Sequence, residues 1–70
     1  SIEDKELADM NYKIANEKYR QKKLENEVGN ITAADLLNEM TELEKATSLK
    51  EKADYKYSVS VEALKMLIEK

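Results

Sequence analysis

A single glycine, Gly29, is the feature that most constrains the fold of this chain, because the sequence contains no proline. Glycine adopts the left-handed backbone conformation that ends many helices without a steric penalty, whereas proline is the residue that most strongly interrupts a helix. The segments on either side of Gly29 can therefore each form one long helix. We predict helices over residues 2–28 and 33–69, joined by a turn over residues 29–32.

The residues after Gly29 carry two further signals for the start of a helix. Thr32 and Asp35 have the spacing of a capping box, in which each side chain accepts the backbone N–H of the other residue. Ile31 and Leu36 occupy the two positions of a hydrophobic staple around the same helix start. Together with Gly29 these signals predict a tight reversal, so the expected fold is all-α, a long antiparallel two-helix hairpin of the coiled-coil type.

Apolar residues recur at helical spacing on both sides of the turn. Before it lie Leu7, Met10, Ile14, Leu24 and Val28, beside a second stripe that alternates small and large residues, Ala8, Tyr12, Ala15 and Tyr19. Two adjacent apolar stripes indicate either one wide face turned to a core or a helix with neighbours on both sides, as in a ring of helices. The later run carries Leu36, Met40, Leu43, Ala46, Leu49, Ala53, Tyr57, Leu64 and Leu67.

Reversal of the chain at Gly29 predicts a register in which Leu7 lies opposite Ala53 and Ile14 lies opposite Ala46. In this register a basic segment with Lys18, Arg20, Lys22 and Lys23 lies opposite an acidic segment with Glu39, Glu42 and Glu44. We expect ion pairs between these segments, each contributing up to about 1 kcal/mol. The second helix is the longer one, so the apolar residues beyond Val59 need another partner: a second copy, a further part of a larger protein, or a fold-back of the second helix.

A break in the second helix is the alternative architecture. Ser48, followed by Glu51, could cap a new helix and convert the chain into a three-helix bundle with a break near residues 47–49. No glycine or proline lies near that point, so an unbroken helix is the primary prediction. We detect no internal repeat, low-complexity segment or linker.

Length and composition narrow the classes of function. A chain of 70 residues forms one small domain. It contains no cysteine and no histidine, which removes disulfides, thiolate ligands, the usual general base and the commonest nitrogen ligand of metals. We therefore predict no cofactor, no metal site and no enzymatic activity. Twelve basic and fifteen acidic residues are interspersed, which disfavours nucleic-acid binding, and the apolar runs are far shorter than a membrane span of roughly 20 residues.

Residues 15–68 resemble the C-terminal helical hairpin of the TolC-type outer-membrane efflux proteins. The resemblance rests on the turn and on the spacing of apolar and small residues after it. The residues that carry it are Val28-Gly29-Asn30-Ile31-Thr32, Asp35-Leu36-Leu37, Leu43 with Ala46, Ala53-Asp54-Tyr55-Lys56-Tyr57, and Ala63-Leu64.

The resemblance implies that the chain is part of a larger protein embedded in the outer membrane, with this hairpin as a soluble periplasmic segment. In such channels, trimers bring the hairpins together into a helical tunnel whose periplasmic end meets an adaptor protein. The resemblance places Val28, Gly29 and Asn30 at the adaptor contact. It places Asp35, with Thr32, at the constricted mouth of the tunnel.

Each of these residues also has a purely structural interpretation. Val28 and Gly29 fit an ordinary helix C-terminus, and Thr32 with Asp35 fits an ordinary helix N-cap. For the whole chain, the alternative to an efflux channel is a standalone coiled-coil module for protein–protein interaction, with no role in transport.

Overall fold

The computed structural model describes residues 2–68, which form two helices, α1 (Ile2–Glu27) and α2 (Ala33–Ile68). They pair side by side into a rod whose Cα atoms extend over 61 × 14 × 13 Å. The predicted antiparallel hairpin is confirmed. Helix α2 continues without a break through residues 46–50, so the three-helix bundle is not favoured. Glu69, the last residue predicted to be helical, lies outside the described residues.

Helix α1 ends because Gly29 takes a left-handed conformation, with φ of +79°. The N–H of Gly29 donates to the carbonyl of Asn26 at 3.0 Å, and the N–H of Asn30 donates to the carbonyl of Glu25 at 2.9 Å. These two bonds form a Schellman motif, which satisfies carbonyl groups that the end of a helix would otherwise leave without a partner. The last residue of α1 is Glu27, one residue before the predicted helix end at Val28.

Helix α2 starts at the predicted capping box. The N–H of Asp35 donates to Thr32 Oγ1 at 3.1 Å, and the N–H of Thr32 donates to Asp35 Oδ2 at 3.2 Å. The side-chain amide of Asn26 donates to the carbonyl of Ile31 at 3.2 Å, which joins the last turn of α1 to the connection. Ile31 and Leu36, the two staple positions, are both half-buried. Local interactions therefore account for the whole reversal.

The stripe of α1 that faces α2 is the one that alternates alanine and tyrosine. Ala8, Tyr12, Ala15 and Tyr19 are all half-buried, and so are Leu43, Ala46 and Tyr57 on α2. Leu7 and Ile14 were expected in this interface, yet 57% and 50% of their surfaces remain exposed. They border shallow grooves shared with Ala53 and Ala46, respectively. The predicted register is thus correct, but α1 is rotated so that Leu7 and Ile14 lie at the edge of the contact.

This rotation has a physical reason. An isolated pair of helices offers each helix only one narrow contact strip, so the two apolar stripes of α1 cannot both face α2. Alanine lets the helix axes approach closely, and tyrosine contributes apolar ring area while its hydroxyl can stay near water. The same rotation turns Lys5 and Asp9 toward α2, where they meet residues of opposite charge.

The hairpin has no closed core, since none of its described side chains is fully buried. Helix α2 has 36 residues and α1 has 26, so in the observed register about ten residues of α2 extend past the start of α1. Within this extension Leu64, Met66, Leu67 and Ile68 are 60–82% exposed. Large apolar side chains of the hairpin are therefore open to further helices.

Candidate interaction site

The tip of the hairpin brings together the three residues predicted to contact an adaptor. Val28, Gly29 and Asn30 are all exposed, and Val28 presents 71% of its surface. A Cβ atom built on Gly29 would meet no atom within 4 Å. In this structure Gly29 is therefore required by the left-handed backbone rather than by a close contact. The tip offers a small apolar side chain beside an exposed amide side chain, and its contact with an adaptor stays a prediction.

Thr32 and Asp35 lie on the same end of the rod and are exposed. Their reciprocal hydrogen bonds assign both residues a capping role at the start of α2. The negative charge of Asp35 also lies in the first turn, where the helix dipole stabilises anions. A role for this carboxylate at the mouth of a tunnel stays a prediction, because it requires other copies around the same axis.

Four charged side chains meet across the interface near the open end of the hairpin, and we call Lys5, Asp9, Lys50 and Asp54 the Lys–Asp quartet. Within α1, Lys5 Nζ lies 3.2 Å from Asp9 Oδ2, and within α2, Lys50 Nζ lies 2.9 Å from Asp54 Oδ2. Between the helices, Lys5 lies 3.7 Å from Asp54 Oδ1 and Lys50 lies 3.5 Å from Asp9 Oδ1. Positive and negative charges therefore alternate around a closed ring.

Each lysine of the quartet also lies over an aromatic ring of the opposite helix. Lys5 Nζ is 5.7 Å from the centre of the Tyr57 ring, and Lys50 Nζ is 5.9 Å from the centre of the Tyr12 ring. These distances are at the outer range of cation–π attraction. Because the side chains of the quartet are about a third exposed, solvent weakens every one of these charge contacts.

The pKa values in the quartet follow from its hydrogen bonds. The bond to Asp9 raises the pKa of Lys5, and the same bond lowers the pKa of Asp9. The bond to Asp54 raises the pKa of Lys50. The Oδ1 atoms of Asp9 and Asp54 are screened from water and form no hydrogen bond, so their contacts with the lysines of the opposite helix are charge contacts only. All of these shifts favour the charged forms, in which the lysines and aspartates of the quartet also attract one another across the interface.

The sequence contains a signal for the quartet that our sequence analysis missed. The pattern K-E-x-A-D-x-x-Y occurs twice, as KELADMNY over residues 5–12 and as KEKADYKY over residues 50–57. When two copies of this pattern pair in antiparallel order, each lysine meets the aspartate of the other copy and each tyrosine meets the other lysine. The prediction of a chain without internal repeats is therefore wrong. The repeat gives this part of the hairpin a local two-fold symmetry.

The predicted ion pairs between the basic and acidic segments near the turn are also wrong. There the pairs stay within one helix: Glu17 with Arg20, Lys22 with Glu25, and Glu42 with Lys45. Residues three positions apart on a helix are already neighbours, so these pairs form without any contact between helices. Among the residues that the structure describes, the ion pairs between α1 and α2 are those of the quartet.

Within residues 2–68, no group of three or more acidic side chains is arranged to hold a metal ion. Neither α1 nor α2 combines the length and the apolar character needed to cross a lipid bilayer. No family model matches the chain, and no curated protein or solved structure is significantly similar to it.

Proposed function

We propose that this chain is a structural hairpin of a periplasmic α-helical tunnel in an outer-membrane efflux or secretion channel. It acts without enzymatic chemistry, packs side by side with neighbouring helices and docks an adaptor protein at its tip. One observation carries the proposal: apolar side chains remain on the outer edges of both helices, outside the interface that joins α1 to α2.

The outer edge of α1 carries Met10 and Leu24, each more than half exposed. Helical geometry places these residues on the side opposite the alanine–tyrosine stripe. The outer edge of α2 carries Leu37, Tyr55, Val59 and Met66, which are 49–70% exposed. A helix in a closed ring contacts a neighbour on each side, so a hairpin within such a ring needs apolar residues on both outer edges.

The shape of the hairpin and its tip support the same proposal. A rod 61 Å long places the exposed Val28, Gly29 and Asn30 at one end, away from the edges that would contact neighbouring helices. The resemblance to the TolC-type hairpin supplies the class of assembly, the trimer and the adaptor. The capping box of Thr32 and Asp35 gives the tip a defined geometry, which reduces the ordering cost of docking.

A standalone coiled-coil module is the second candidate, and one observation favours it. The extension of α2 past the start of α1 exposes Leu64 and Leu67, which lie three residues apart, a spacing that a single partner helix can cover. Such a module would bind one partner and would form no ring.

Cross-linking distinguishes the two candidates. In a side-by-side array the α1 edge of one hairpin faces the α2 edge of the next, a head-to-tail contact that can continue beyond two chains. Ser48 lies eleven residues from both Leu37 and Val59, about three helical turns in each direction, so it shares the outer edge of α2. We expect a Met10→Cys/Ser48→Cys variant of the full chain, oxidised at high micromolar concentration, to form a ladder of cross-linked trimers and larger species.

The matched controls are the two single cysteine variants, since one cysteine per chain can join at most two chains. Mass spectrometry should locate the ladder's disulfides between residue 10 of one chain and residue 48 of another. If the double variant yields nothing larger than a dimer, the ring is contradicted and the standalone module is favoured.

A further inference from the structure

One face of the hairpin, separate from its two outer edges, is apolar and open. Leu7 and Ile14 of α1 lie on this face, and Leu49 of α2 borders the grooves that both of them line. Leu49 is 59% exposed. Helical spacing places Leu64 and Leu67 on the same side of α2 as Leu49. We call these five residues the leucine face.

We propose that the leucine face binds a second copy of this chain, antiparallel and side by side, with the two-fold axis passing beside Leu49. The position of Leu49 gives the first reason. It lies near the midpoint of α2, which runs from Ala33 to Ile68. An antiparallel copy centred on Leu49 therefore lies along the whole length of α2 and leaves little of either helix uncovered.

The extension of α2 gives the second reason. Under this symmetry Leu64 and Leu67 of one copy reach the turn of the other copy, at a shallow groove lined by Ile31 and by the polar side chains of Lys22, Asp35, Asn38 and Glu39. No described residue of α1 lies beside the extension, and under this symmetry the turn of the second copy would cover it. Each copy thus covers the apolar extension that its partner cannot cover itself.

Charge gives the third reason. Glu42 and Lys56 lie seven residues before and seven residues after Leu49, which is two helical turns in each direction. A two-fold axis at Leu49 therefore places Glu42 of each copy opposite Lys56 of the other, and the interface gains two pairs of opposite charge. An acid and a base at equal distances from a central leucine form a self-complementary pattern, which is what an interface between identical copies requires.

The hairpin is long enough for an extended contact, since its Cα atoms span 61 by 14 Å. Specific interfaces bury roughly 800 Å² of accessible surface per partner, so the two copies must contact along most of this length. The arrangement is independent of the tunnel, because it uses the face between the edges rather than the edges themselves.

Cysteine cross-linking of the full chain tests the orientation. We expect Leu49→Cys to form a disulfide-linked dimer under mild oxidation, since the two copies of residue 49 meet at the axis. Leu37→Cys is the matched control, because Leu37 is similarly exposed (60%) but lies on the outer edge of α2, and it should cross-link much more slowly. Equal rates for the two variants would overturn the proposal.

A mixture of Asn11→Cys and Leu49→Cys chains tests the alternative alignment. Antiparallel copies join 11 to 11 and 49 to 49, whereas parallel copies join 11 to 49, and mass spectrometry separates these products. A majority of mixed 11–49 dimers would refute the antiparallel arrangement. An unmodified chain that sediments at its monomer mass of 8.1 kDa up to high micromolar concentration would refute the dimer altogether.

A charge exchange tests the register. Glu42→Lys and Lys56→Glu should each weaken the dimer by about tenfold or more, because each places like charges together at two symmetric positions. The double variant should restore the affinity, with circular dichroism as the control for helix content. A double variant as weak as the single ones would contradict the pairing. A Leu49→Lys chain that still forms the antiparallel dimer would overturn this inference while leaving the proposed tunnel intact.

Discussion

Replacement of Gly29 by valine is the most direct perturbation of the fold. Gly29 has a φ of +79°, a region that residues with a Cβ adopt at a cost of roughly 1–2 kcal/mol. The added side chain would start in open space, since a Cβ at this position meets nothing within 4 Å. The cost therefore comes from the backbone alone, with no offsetting contact and no additional clash at the Cβ.

The expected net loss of stability is on the order of 1 kcal/mol. Removing glycine also lowers the conformational entropy of the unfolded chain, and this offsets about 0.4–1 kcal/mol of the strain. Valine should stand at the upper end of the resulting range because its branched Cβ fits a positive φ poorly. For a chain of this size a loss of 1 kcal/mol lowers Tm by roughly 4–8 °C.

Thermal and urea unfolding followed by far-UV circular dichroism measures this loss. All variants should be compared at one protein concentration, because self-association adds to apparent stability. Gly29→Asn is the matched control, since asparagine tolerates a positive φ better than other non-glycine residues, and it should lose less than Gly29→Val. An unchanged Tm for Gly29→Val would show that the turn does not depend on a left-handed residue, and the account of the reversal would then fail.

The Lys–Asp quartet yields two further predictions. The exchange Lys50→Asp/Asp54→Lys keeps opposite charges within α2 but sets like charges against α1, so Tm should fall. The same exchange of Lys5 and Asp9 in addition should restore Tm, and no recovery would mean that the cross-helix contacts do not stabilise the hairpin. For pH, Asp9 has a pKa below its ordinary value of 3.8, so its contribution is present above pH 3.8 and is lost as the pH falls below it. Lys5 and Lys50 have pKa values above 10.5, so their contribution to stability is present below pH 10.5 and is lost as the pH rises beyond it. A Tm that does not change as the pH passes either limit would contradict this account.

Three surfaces of the hairpin have separate tasks in these proposals. The tip, with Val28 and Asn30, is the docking end, the outer edges contact neighbouring hairpins, and the leucine face receives a second copy. Each surface is defined by exposed residues that do not take part in the contact between α1 and α2. Variants at one surface therefore leave the others unchanged, which allows each proposal to be tested by itself.

The turn could be predicted from the sequence because its interactions are local. Gly29, Thr32 and Asp35 act within a few residues of one another, so their spacing alone specifies the Schellman motif and the capping box. The helices follow from the apolar period and from the absence of proline. The register also follows, because a short turn between two straight helices leaves little freedom in which residues lie opposite each other.

Only the tertiary structure decided which stripe of α1 faces α2. The stripe of large apolar residues that includes Leu7 and Ile14 has the same helical period as the alanine–tyrosine stripe, so periodicity cannot choose between them. The choice depends on how closely two helix axes can approach, and on the meeting of Lys5 and Asp9 with Lys50 and Asp54. Both are properties of two helices together, and for that reason Leu7 and Ile14 were expected inside the contact and are found at its edge.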